Sequence, residues 1–109
     1  MEIYEKTEFG ELLTRLIKEK KMTQSFFFQK VGIGKAYFYD ILAERISPSL
    51  EVQFKMLSIL QPQKEDELKF FDLIATAKND LPADIFKYLI GNEEKYKIIR
   101  EMMDKEQSL

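Results

Sequence analysis

From Phe9 onward the apolar residues of this chain recur at helical spacing, and no run alternates convincingly enough to be a strand. Phe9, Leu12, Leu13, Leu16 and Ile17 stand at i, i+3, i+4, i+7 and i+8, one stripe of a helix predicted from about Thr7 to Lys21. Thr7 suits its N-cap, and Lys18, Lys20 and Lys21 favour its negative end. A chain patterned this way buries its stripes against other helices, so the fold class is all-α.

The breaks are as informative as the stripes. Thr23 is the expected cap of a second helix running to about Val31, and Gly32 stops it, because glycine enters the left-handed conformation without steric penalty. A third helix, from about Lys35 to Glu44, buries Phe38, Ile41 and Leu42. Ser47-Pro48-Ser49 leads into a fourth, marked by Leu50, Phe54, Leu57 and Leu60. Beyond Gln61-Pro62-Gln63, the residues Leu68, Phe71, Ile74, Ala75 and Lys78 trace a fifth, with Glu65, Asp66 and Glu67 in its first turn. Asn79-Asp80-Leu81-Pro82 opens a short sixth carrying Ile85, Phe86 and Leu89, which Gly91 ends. Asn92 caps a seventh with Tyr96, Ile99 and Met103 on one face, and the residues after Asp104 are expected to fray.

Composition excludes several functions. The chain has 109 residues, enough for one domain, and contains neither histidine nor cysteine. The commonest general base, the commonest nitrogen ligand, thiolate metal sites and disulfides are therefore all missing. No glycine-rich phosphate loop follows a strand, so neither an enzyme nor a cofactor or metal is expected. No apolar run approaches the roughly 20 residues of a membrane span, and MEIYEKTEFG lacks the pattern of a signal peptide; a cytoplasmic protein is expected. The net charge of -2 by itself argues weakly against nucleic acid as a partner, but the balance is uneven. Residues 1–60 hold nine Lys/Arg and eight Asp/Glu, a balance of +1, and residues 61–109 hold eight and eleven, a balance of -3.

Met22-Thr23-Gln24 at the start of the second helix, Val31-Gly32-Ile33 at the turn, Phe38 and Ile41 in the third helix and Pro48-Ser49-Leu50 before the fourth stand in a common register. On these residues the stretch from Phe9 to Leu60 resembles the Cro/CI-type helix-turn-helix of phage repressors, the XRE family. The resemblance implies a lambda-repressor-like module over residues 1–61, followed by a helical extension over 62–109. It implies that Gln24 contacts phosphate and braces the third helix, that Gly34, Lys35, Ala36, Tyr39 and Asp40 face base edges and backbone, and that Lys30 and Arg45 meet phosphate beside them. The sequence departs from the family at four places: Gly34 replaces a Ser or Thr, Glu44 a glycine, Phe28 an alanine and Phe26 a polar residue. Asp40 can accept from cytosine N4, yet its charge opposes nearby phosphate.

The segment DLPADIFKYL, Asp80 to Leu89, is loosely similar to the helical tails of uncharacterised XRE-like proteins. The extension is expected either to form a homodimer interface through Phe70, Phe71, Ile74, Phe86, Tyr88, Leu89, Tyr96, Ile99 and Met103, or to pack on helices one and four. The functional expectation is a sequence-specific regulator, a repressor that binds an inverted repeat of double-stranded DNA as a homodimer. The alternative is a protein-interaction module, an inhibitor or adaptor from a mobile element, that grips a protein partner through Phe26, Tyr37 and Tyr39.

Overall fold

Seven α-helices make up the computed structural model, which describes residues 7–107. Residues 1–6, part of the segment read for a leader, and 108–109, the end of the tail expected to fray, lie outside the described residues. The helices are α1 (Glu8–Glu19), α2 (Gln24–Val31), α3 (Lys35–Leu42), α4 (Leu50–Leu60), α5 (Lys64–Lys78), α6 (Ala83–Leu89) and α7 (Glu93–Gln107). All seven elements read from the sequence are present, and no strand occurs among the described residues. The seventh helix continues through Gln107 rather than fraying at Asp104.

Two helices end earlier than their stripes suggest. α1 stops at Glu19 and α3 at Leu42, and in each the chain turns through a left-handed residue, Lys21 (φ 58°) and Glu44 (φ 58°). At the end of α3 the Glu44 amide donates to the Ile41 carbonyl at 3.0 Å and the Arg45 amide to that of Asp40 at 2.9 Å. This is the Schellman pattern, which also closes α2 at Gly32 (φ 92°) and α5 at Asn79 (φ 55°). A side chain other than glycine is strained there, so Glu44→Gly is expected to raise stability by about 0.5–1 kcal/mol in a urea titration. An unchanged or lower midpoint would mean that the Glu44 side chain contributes more than its backbone strain costs.

The core runs through α1 to α5. Phe9, Leu13, Ile17, Phe27, Phe38, Ile41, Met56, Leu60 and Phe70 are buried, with the Phe9 and Phe70 rings 5.2 Å apart. Phe70, Phe71 and Ile74 were among the candidates for a dimer interface; they are instead buried on this core, because α5 lies along α1. Arg15 of α1 reaches Asp66 of α5 at 2.7 Å and Glu19 at 2.9 Å. Its guanidinium holds the Asp66 carboxyl below the usual carboxylate range. The link therefore acts in full above the unfolded value of about 3.9 and is lost as pH falls through the lower folded value.

The end of the chain is built differently. α6 buries only Ala83 and α7 buries nothing. The molecule measures 55 × 24 × 23 Å with a radius of gyration of 16.4 Å, where a compact chain of this length would have about 13 Å.

Candidate nucleic-acid interface

α2 and α3 are eight residues each, too short to persist without packing. Phe38 supplies that packing: its ring lies 6.1 Å from Phe27 and 5.3 Å from Phe28, so the unusual Phe28 fills the angle between the two helices. A polar link adds to it, as the Tyr39 hydroxyl donates to Gln24 Oε1 at 3.4 Å. Gln24 therefore touches α3 as a brace would, and Tyr39, edge-on to Phe38, is half-buried rather than projecting.

At the other end α3 is held by α1. Thr7 Oγ1 accepts from the Gly10 amide at 2.8 Å and donates to the Leu42 carbonyl at 2.7 Å, so one hydroxyl caps α1 and takes up a carbonyl from the last turn of α3. Gly10 permits the approach, since a Cβ there would collide with the Leu42 carbonyl oxygen. On the following segment, Gln53, buried at the start of α4, donates through Nε2 to the Pro48 carbonyl at 3.0 Å. Gly10, the Thr7 to Leu42 bond and the Gln53 contact were not anticipated from sequence. The available signal was Gly10 itself, because a glycine inside a helical stripe destabilises it by about 1 kcal/mol relative to alanine unless something needs the space.

The candidate residues fall into three groups. Gly34, Lys35 and Ala36 are exposed at the start of α3, whereas Tyr37, Tyr39 and Asp40 are half-buried. Arg45 is turned back, its Nε donating to Asp40 Oδ1 at 2.9 Å, so the carboxylate that would oppose phosphate already carries a counter-charge. Lys30 lies over the ring of Phe26, its Nζ 5.6 Å from the centroid, and Phe26 is 54% exposed.

The helix ends carry an electrostatic pattern. Each N-terminus is a partial positive charge that acidic side chains in the first turn offset. Among the seven helices described, only α2 and α3 have no acidic residue there. α3 goes further: Gly34 provides no side-chain cap, and the first helical residue is Lys35, a cation where the dipole disfavours one. The amides at its start are the donors an anion takes up.

Among the described residues no group of acidic side chains could hold a metal ion, and no helix is long and apolar enough to cross a membrane. No protein-family model, curated protein or solved structure matches this chain.

Proposed function

We propose that the chain is a sequence-specific DNA-binding regulator, a repressor acting on an inverted-repeat operator as a homodimer, that sets the start of α3 in the major groove. The observation that carries this reading is the positive, uncapped N-terminus of α3, with Gly34, Lys35 and Ala36 exposed and no acid in its first turn or in that of α2. A major groove about 12 Å wide admits one helix, and side chains on its N-terminal half reach base edges while backbone amides reach phosphate. The likeness of Met22 to Leu50 to the XRE pattern supports the same reading. In it Lys35 is the base-edge donor, Gln24 and the α2 terminus meet the backbone, and Arg45 shields Asp40 from phosphate.

Lys35→Glu separates binding from stability. It places an acid at the α3 N-terminus and is expected to stabilise the fold by about 0.3–1 kcal/mol. Loss of the same donor should weaken binding to a selected operator by about 1–3 kcal/mol and relax discrimination at one base pair. Arg45→Ala is expected to weaken binding to all duplexes by baring Asp40, and adding Asp40→Asn should recover much of it. The measurement is selection from a random duplex library, followed by titration of the recovered sequences across a salt series. An enriched inverted repeat with half-sites one or more helical turns apart is expected; failure to enrich any sequence at low salt, with folded protein, would overturn the reading.

The second reading, a protein-interaction module, rests on the exposed Phe26 ring beneath Lys30. It predicts a complex with little salt dependence that Phe26→Ala disrupts and Lys35→Glu leaves intact.

A further inference from the structure

Large apolar side chains are exposed along the end of the chain far beyond what α6 and α7 need to pack on each other. Leu81, Ile85, Phe86, Tyr88, Ile98 and Met102 all stand more than a third exposed, as do Ile90 and Met103. Single exposed apolar side chains are ordinary, but eight of them within residues 81–103 are the kind of concentration that marks an association surface. α7 adds a second point: a 15-residue helix with no buried residue is at the margin of what persists in water.

The order of residues on α7 names the partner. Lys95, Ile99, Met102 and Glu106 recur at i, i+4, i+7 and i+11, one seam along the helix on which Met102 and Glu106 are exposed and Lys95 and Ile99 half-buried. Turned end for end about the Arg100–Glu101 bond, this seam reads as its own complement: Ile99 falls opposite Met102, and Lys95 opposite Glu106. The residues beside it follow the same inversion, Ile98 with Met103 and Arg100 with Glu101. A two-fold axis imposes such pairing, because residue i meets residue j of the partner and j meets i. The charge of residues 81–107, five Lys/Arg against six Asp/Glu, leaves two copies almost without mutual repulsion.

We infer that two copies of this chain associate through antiparallel pairing of α7, with Ile99 and Met102 at the centre and Lys95 of each copy against Glu106 of the other, the exposed side chains of α6 extending the contact. This gives the homodimer of the proposed function a surface, yet it is tested without DNA, so its failure and that of the DNA reading are separable. Lys95→Glu sets acid against acid and Glu106→Lys sets base against base, whereas a mixed pair of the two variants restores attraction on both sides of the axis. Lys95 also lies over the Tyr88 ring within its own chain, and the mixing experiment accounts for that loss, since mixing does not restore it.

Sedimentation equilibrium is expected to show twice the chain mass for the unaltered protein, at least tenfold weaker dimerisation for each variant alone, and recovery on mixing them. Met102→Lys, at an exposed position, should give monomers whose α1–α5 core unfolds at the unaltered denaturant midpoint. An unaltered protein that stays monomeric, single variants that dimerise as well as it does, or a mixture no stronger than its components would each overturn the inference.

Discussion

Phe38→Ala is expected to remove about 3–5 kcal/mol of folding stability, the range for truncating a buried aromatic residue. Phe38 is completely buried at the junction of α2 and α3 and touches the rings of Phe27, Phe28 and Tyr39. Its removal leaves a cavity whose walls belong to α2 and α3, each only eight residues long. Since domains of this kind are stable by only about 5–15 kcal/mol, the loss takes at least about a fifth of the folding free energy. The loss should appear as a fall in denaturant midpoint at constant slope, and Phe38→Leu should recover about half of it. A loss under about 1 kcal/mol would show that the junction closes without the ring, and that the α2–α3 geometry rests on polar contacts instead.

The second large effect is expected at a position with no side chain. Gly10→Ala places a methyl group against the Leu42 carbonyl oxygen and the Thr7 hydroxyl. Alanine is ordinarily the better helix residue by about 1 kcal/mol, so propensity alone predicts a gain. Backbone cannot move aside as a flexible side chain does, and overpacking a close contact destabilises by about 1–3 kcal/mol. A net loss of up to about 2 kcal/mol is expected, together with a shift of α3 away from α1, readable as chemical-shift changes around Leu42. Thr7→Val serves as the companion: it removes the hydroxyl bridge without crowding the contact, and it should cost about 1–2 kcal/mol. A gain in stability from Gly10→Ala would mean that α1 and α3 do not meet through their backbones.

The outcomes at particular residues show what periodicity can report. Phe9 to Ile17 announced α1 because a stripe with one partner face is visible in one dimension. The ends of α1 and α3 were misplaced by two residues because Lys21 and Glu44 occupy left-handed positions that glycine usually marks, and nothing in their side chains signals the turn. Phe70, Phe71 and Ile74 left two expectations open, a dimer surface or packing on helices one and four, and they lie in the core; spacing states that a residue is covered and not by what. The Arg45–Asp40 pair depends on how the chain reverses after Leu42, so charge order alone did not give it. The resemblance implied an exposed front of Gly34, Lys35, Ala36, Tyr39 and Asp40; the first three are exposed and Tyr39 and Asp40 are half-buried.

α7 buries none of its side chains in its own chain, whereas α1 to α5 share one core. Substitutions along α7 are therefore insulated from the constraint that governs the rest of the molecule. With copies paired through α7 as proposed, two descendants of a duplication that exchange acids for bases along this helix would each prefer its own kind without unfolding. Divergence of pairing could precede any change in the surface formed by α2 and α3, and a set of related chains could sort into separate assemblies while that surface stayed the same.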